Sequence, residues 1–369
     1  MPSMILALTL CSTALALASA IADQAMAAPV TSFDTFVAQY ERRYNNADEA
    51  RRRRAIFEAN VLEIARLNAR SARGAVFAVN GFADLSPEEF RASYTLGANA
   101  NLRPLNASYA PAAVAGGDAV PSAKNWYLTA TTPVRNQGQC GSCWAFSVVE
   151  QVESDWFLAG KGGAKPQALS VQEVVDCDSN EAFGCSGTYA GGDTGFKYVI
   201  NNGGLASESD YPYTSGTTKE SGKCKSKSVK NAGGAITGFA NPIKTCDLPW
   251  DDCNNQDEDA LAAFVGTKGP LAICINARGW QFYKSGVATA AMCGGHDHGS
   301  LDHCVQLVGY SGYDAGKGAK GSGAAGGYWI VRNSWMFGPD KPWGEDGLIY
   351  LALGNNTCGV ADTPTYTVV

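Results

Sequence analysis

The sequence predicts an α+β chain in which a mostly helical leader precedes one helical half and one β-rich half, and three observations carry that prediction. Apolar residues recur at three- to four-residue spacing across residues 32–68, a helical pattern returns from Cys143 to about residue 175, and from roughly residue 233 it gives way to short alternating runs. A chain of 369 residues, 45% apolar and 17% charged, is long enough for two or three compact units with cores of their own.

In chain order, residues 4–20 form an apolar, small-residue stretch ending in Ala18-Ser19-Ala20, with a second candidate cleavage site at Ala25-Met26-Ala27. Despite the missing Lys or Arg ahead of it, this reads as a secretory signal peptide spanning residues 1–20. No later stretch is long and apolar enough to span a bilayer, so a soluble protein of the secretory pathway is expected, where disulfides form. Residues 21–119 hold 11 Arg, no Lys and 11 acidic residues, whereas residues 120–369 hold 18 basic and 24 acidic ones; the first part nets zero and the second −6. Neither part has the charge of a nucleic-acid binder.

In the leader, Phe33, Phe36, Val37, Tyr40, Phe57, Val61, Ile64 and Leu67 line one face of amphipathic helices, with residues 51–54, all Arg, on the exposed face. Residues 96–118, rich in Ala, Asn, Gly and Pro, read as an exposed linker of the kind proteases nick, and maturation is expected to end near Val120-Pro121. Asn106 and Asn355 each open a glycosylation sequon.

Residues 137–147 read Gln-Gly-Gln-Cys-Gly-Ser-Cys-Trp-Ala-Phe-Ser. A Gly-rich turn delivers Cys143 where helix-compatible residues begin, and at a helix N-terminus the macrodipole favours a thiolate. A merely buried or disulfide-bonded cysteine is the plain alternative. A dithiol oxidoreductase is another, since Cys140-Gly-Ser-Cys143 is formally a Cys-x-x-Cys pair. A nucleophilic thiol needs a base, and the chain has three histidines. His303 starts the apolar run Cys-Val-Gln-Leu-Val, which reads as a buried strand. His296 and His298 lie in a Gly-rich loop and, lacking a third ligand nearby, make a weak metal site. No metal and no cofactor are expected.

Cys-Gly-Ser-Cys-Trp resembles the signature around the nucleophile of the papain and cathepsin cysteine peptidases. Asp302-His303 and Asn333-Ser334-Trp335 resemble the same family's base and orienter motifs. Glu49, Arg53, Phe57, Asn60, Ile64 and Asn68 fall at the spacing of the ERFNIN motif of cathepsin L-like inhibitory propeptides, and Asn80, Phe82 and Asp84 match a second propeptide motif, with Ala78 where the family has Gly. The resemblance implies a papain-like fold of two subdomains with the active-site cleft between them: propeptide 21–119, peptidase domain 120–369, helical half about 130–232, β half about 233–369 plus the N-terminal strand.

It also implies roles. Cys143 is the nucleophile, His303 the base, Asn333 its orienter under the shield of Trp335, and Gln137 an oxyanion donor with the Cys143 backbone N–H. Asp84 is an acid-sensitive tether. The separations from Cys143 to His303 and Asn333, about 160 and 190 residues, exceed the family's usual spacing. Three stretches look like additions: the acidic loop 244–259, the Gly-Ala-Lys-rich segment 314–327, expected as a flexible hairpin tip, and the link between Trp335 and Trp343, whose extra Pro339 and Pro342 are expected to reshape the leaving-group side of the cleft. The expected activity is that of an endopeptidase made as a zymogen and working as a monomer on protein and peptide substrates, in a lysosome or vacuole or outside the cell, with its own propeptide as inhibitor. A homologue that binds peptides without cleaving them is the non-enzyme alternative.

Gly187 and Thr188 stand where the family pairs its backbone with the substrate as an added strand. Thr188 replaces a Gly, and a β-branched residue there is expected to crowd the groove and to resist positive φ. Tyr189, Cys274, Leu301, Asp302, Cys304 and Thr363 are expected around the main specificity pocket, which carries no carboxylate from its Tyr, Leu and Thr lining and should favour apolar side chains second before the cut. Of 12 cysteines, Cys11 leaves with the signal peptide and Cys143 stays free, leaving ten. The resemblance implies Cys140 with Cys185, Cys177 with Cys224 and Cys293 with Cys358. Proximity suggests Cys246 with Cys253, and the remaining Cys274 and Cys304 are expected to bridge in the pocket wall, with two free buried thiols as the alternative.

Overall fold

The computed structural model describes residues 32–71, 74–96, 108–110, 120–179, 182–188, 192–246, 253–294 and 300–369. The expected signal peptide, the sequon at Asn106, and Tyr189, His296 and His298 lie outside them. In chain order the elements are α1 (Phe33–Gln39), α2 (Ala47–Ser71), β1 (Val76–Phe77), α3 (Pro87–Tyr94), β2 (Ser108–Tyr109), β3 (Ala123–Asn125), α4 (Cys143–Leu158), α5 (Val171–Cys177), α6 (Asp193–Asn202), α7 (Ser215–Thr218), β4 (Gly238–Asn241), α8 (Glu258–Thr267), β5 (Leu271–Ile275), β6 (Tyr283–Ser285), β7 (Val287–Ala288), β8 (His303–Ser311), α9 (Gly318–Ala324), β9 (Tyr328–Arg332), β10 (Leu348–Ala352) and β11 (Tyr366–Val368). Two compact units divide at Arg54 and Ala55, within α2.

In the first unit the Ser32 side chain caps α1 by accepting from the Thr35 N–H. Phe33 stacks on Tyr44 with centroids 5.8 Å apart, and the Arg54 guanidinium lies 4.8 Å from the Phe33 ring while pairing with Asp34 at 2.6 Å. Glu49 accepts from the Asn45 N–H at 2.8 Å and lies 4.0 Å from Arg53.

In the second unit α2 continues with Phe57, Asn60 and Ile64 buried. The Asn60 amide donates to the carbonyls of Ala83 and Leu85, both at 2.9 Å, and Asn68 exchanges two bonds with the backbone of Phe77. These asparagines hold the following chain against the helix, so β1 is delivered to pair antiparallel with β6, Phe77 opposite Tyr283. Asn80 donates to the Gln281 carbonyl, and Gln281 donates back to Phe82 and Leu85. Asp84 is buried in the same turn. A capping box of Ser86 and Glu89, with Pro87 at the first turn, starts α3. Removing one buried amide strands two carbonyls, so Asn60→Ala is expected to destabilise the precursor by about 1–3 kcal/mol, read as a lower Tm and faster uncovering of the cleft in the intact chain.

The main sheet runs β3-β8-β9-β10-β7, with β5 also on β8; a smaller one runs β11-β4-β2. Thus β2, upstream of residue 120, adds a parallel strand to β4, Ser108 opposite Ala240. Helix α4 lies against β8, β5 and β11, and its Trp144, Phe146, Val148, Val149 and Val152 share one apolar core with Leu169, Val174, Phe196 and Val199. The sheet side of α4 is polar: Glu150 lies 3.2 Å from Arg332 of β9 and Glu153 2.8 Å from Arg135, with Arg135 partly exposed and the other three buried. Burial lifts the Glu150 carboxyl to about 7 against the pull of Arg332 and Arg135, so these pairs fix the seating of α4 rather than adding much net stability.

Residues 314–327 depart from the expected hairpin tip. Gly318–Ala324 within them form helix α9, whose Ser322 hydroxyl donates to the Gly318 carbonyl and accepts from the Asp314 N–H. A Cβ on Gly323 would lie 1.8 Å from the Leu353 carbonyl oxygen, so the small residues answer close packing, not flexibility. The disulfides are Cys140–Cys185, Cys177–Cys224, Cys246–Cys253, Cys274–Cys304 and Cys293–Cys358. The Cys274–Cys304 bridge joins directly opposed residues of β5 and β8. Among the described residues no helix is long and apolar enough to cross a membrane.

Candidate active site

The turn before α4 is held by the Cys140–Cys185 bridge and by glycines with no room for a side chain: at Gly141 a Cβ would lie 2.6 Å from the Cys185 carbonyl oxygen. Cys143 follows as the first residue of α4 and is the free thiol among the described cysteines. His303 opens β8, and Asn333 follows the end of its neighbour β9, so adjacent strands set the two side chains together. His303 Nε2 and Asn333 Oδ1 are 2.8 Å apart. Asn333 Oδ1 also accepts from the Ser334 N–H at 2.8 Å, which turns the oxygen to the ring and puts the shared proton on Nε2. Nδ1 is buried and has no hydrogen bond. Trp335 stacks on the imidazole with centroids 4.6 Å apart, and Trp280 meets it edge-on.

Gln137 is oriented from its oxygen, which accepts from Ser334 Oγ at 2.7 Å and Trp335 Nε1 at 3.1 Å. Its Nε2 donates to the Cys140 carbonyl and, at 3.2 Å, to the carbonyl of Tyr94 from the leader; Trp335 Nε1 donates to that same carbonyl at 3.0 Å. The chain then crosses the cleft. The Leu96 N–H donates to the Asp302 carbonyl at 2.7 Å, and the Leu96 side chain is fully buried in the apolar cluster that holds Cys143, Cys274, Leu301 and Cys304. Gly187 has φ 87°, and a Cβ there would lie 2.1 Å from the Leu96 carbonyl oxygen. The Thr363 hydroxyl accepts from the Cys274 N–H at 3.0 Å. Asp302 itself accepts from the Ala277 N–H and sits 3.8 Å from Arg278.

Three expectations need correction. Leu96, read as the start of an exposed linker, is buried because an apolar pocket receives it; the Tyr94-Thr95-Leu96 run of bulky residues was the available signal. Thr188 has no positive φ and bridges to Ala182, so no backbone strain arises there. The Cys143 thiol is not tuned toward the thiolate here. Burial pushes it up to about 12, the nearby Asp302 charge adds to the rise, and the N–H groups of Cys304 and of the helix start only partly oppose it. Burial likewise pushes the His303 imidazole down to about 4. Beneath the leader both partners are therefore neutral.

The chain is similar to known proteins over nearly its whole length. The model of the papain family cysteine protease matches residues 120–368 and that of the cathepsin propeptide inhibitor domain matches residues 33–90. A cysteine proteinase of Trypanosoma brucei brucei is 35% identical over 97% of this chain and 70% of its own length, and procathepsin L of Rattus norvegicus is 35% identical over 94% of this chain and 96% of its own. Among solved structures, the recombinant stem bromelain precursor aligns over 91% of this chain and 97% of its own with a TM-score of 0.70 at 31% identity, and digestive procathepsin L 3 of Tenebrio molitor larval midgut aligns over the same shares with a TM-score of 0.70 at 29% identity.

Proposed function

The chain belongs to the papain family of cysteine proteases and is a cathepsin L-like zymogen, and from that premise we propose which residues carry its chemistry. Cys143 Sγ attacks the scissile carbonyl, His303 Nδ1 takes the thiol proton and gives it to the leaving amine, and Gln137 Nε2–H with the Cys143 backbone N–H holds the oxyanion. Water then hydrolyses the thioester, with His303 again as base, restoring the thiol. The observation that carries this reading is the Tyr94 carbonyl, which accepts from Gln137 Nε2 at 3.2 Å as a substrate's peptide carbonyl would. The dithiol reading loses its second thiol, because Cys140 is bridged to Cys185. Gln137→Ala is expected to lower kcat by ~10²–10³-fold, the usual weight of one oxyanion donor, with KM little changed. Steady-state kinetics on the processed enzyme checks this.

The Leu96 pocket defines the substrate preference. Walled by Leu301 and the Cys274–Cys304 bridge, it is apolar, and a buried Arg head group there would lose its water without a partner. Peptides with Leu, Val or Phe second before the cut are therefore preferred to those with Arg. A peptide library cleaved by the processed protein tests this: selection of Arg at that position defeats the pocket assignment. Processing removes residues up to about 119, and the mature enzyme acts as a monomer in a lysosome, vacuole or the extracellular space.

A further inference from the structure

Between Trp335 and Trp343 the chain folds into a small hairpin. Met336 bridges to Pro342, and the Phe337 N–H donates to the Lys341 carbonyl at 2.7 Å. Its base is tied to the catalytic turn: the Met336 N–H donates to Asn136 Oδ1 at 3.1 Å, and the Trp343 N–H donates to the Trp335 carbonyl at 3.1 Å. The hairpin thus presents Phe337 at a fixed place beside Trp335.

The side of the cleft follows from the chemistry. His303 delivers a proton to the leaving amine, and Trp335 stacks on His303, so Trp335 borders the departing half of the substrate. The acyl half lies the other way, at the pocket filled by Leu96. In the precursor the aromatic patch on the departing side is covered by Phe82, whose ring centroid is 4.8 Å from Phe337 and 5.6 Å from Trp335, both edge-on, and by Phe90, 5.2 Å from Trp335. A Cβ on Gly81 would run into the Phe337 ring, so the leader is shaped to let that ring close in. When the leader departs, Phe337 and Trp335 lose the rings of Phe82 and Phe90 from the faces these cover.

We propose that Phe337 is a specificity-determining residue that, with Trp335, forms a subsite for an aromatic side chain in the first two positions after the cut. The inference rests on the peptidase reading above. Edge-to-face ring contacts of this kind carry a preference of roughly three- to tenfold. The test uses processed enzyme quantified by active-site titration and two peptide series, sharing Leu second before the cut and carrying Phe, Leu, Ala or Asp at each of the two positions after it. Wild type is expected to show the highest kcat/KM with Phe at one of them, and Phe337→Ala to compress the Phe-to-Ala ratio by roughly three- to tenfold. Phe337→Leu, which keeps the apolar volume, is expected to lose preference for Phe over Leu and serves if the Ala variant does not fold. A wild-type profile flat across both positions, or ratios unmoved in a titratable variant, overturns the inference while leaving the peptidase reading intact. A wild type that neither titrates nor cleaves fails that reading instead.

Discussion

Cys143→Ala is expected to lose about a millionfold in kcat, the loss seen when the nucleophile of a catalytic unit is removed and only binding and the oxyanion donors remain. The fold should survive. Cys143 is the unbridged cysteine among the described residues, and its side chain shares a core with Trp144, Leu301 and Cys304 that loses only a sulfur atom. The variant precursor should therefore secrete and unfold like wild type yet accumulate uncut, if the same thiol performs maturation as proposed. Incubation at acid pH followed by electrophoresis and a peptide assay checks both points; processing of purified Cys143→Ala precursor by itself would contradict the assignment.

The second large effect is latency. The precursor is expected to be inactive near neutral pH, since Tyr94 and Leu96 fill the proposed oxyanion site and pocket, and burial disfavours the charged forms of His303 and Cys143. The sign of the pH response follows from His303. In the covered state its pKa is lowered from 6.5 to about 4, so the uncovered state binds more protons between those values and lowering pH through that window favours uncovering. Asp302 has the opposite sign, because burial lifts it to about 6. The Ala277 N–H, Arg278 and, from the leader, Arg91 pull against that rise, so the part of the burial that the leader supplies at Asp302 opposes uncovering as pH falls. The expectation from His303 is uncovering between about pH 6.5 and 4, with Leu96→Asp leaking activity already at neutral pH. Equal peptide hydrolysis by precursor and processed enzyme at pH 7 would contradict this.

Much of the fold was legible because the periods are clean. Helix α4 begins at Cys143, β8 begins at His303 and β9 ends at Arg332, one residue before Asn333, each where a run of apolar residues starts or stops. The Asn60 and Asn68 matches acquire a physical reason, since each amide satisfies backbone groups of the chain it folds back on. What the sequence did not disclose depends on neighbours distant along the chain. Glycine in α9 reads as flexibility until the Leu353 carbonyl is placed against it. Leu96 reads as linker until the pocket of β5 and β8 receives it. The electrostatic state of Cys143 depends on distance in the same way: a helix start can be seen in one stretch of sequence, whereas Leu96, which shares the apolar cluster of the buried thiol, lies 47 residues upstream.

The central claim is that acid-processed enzyme carries one reactive thiolate, at Cys143, oriented toward His303. Labelling with an epoxide thiol inhibitor, followed by peptide mapping, measures it directly. The account predicts one label per molecule, on Cys143, with none on the precursor at neutral pH; labelling elsewhere, or none after processing, would contradict it.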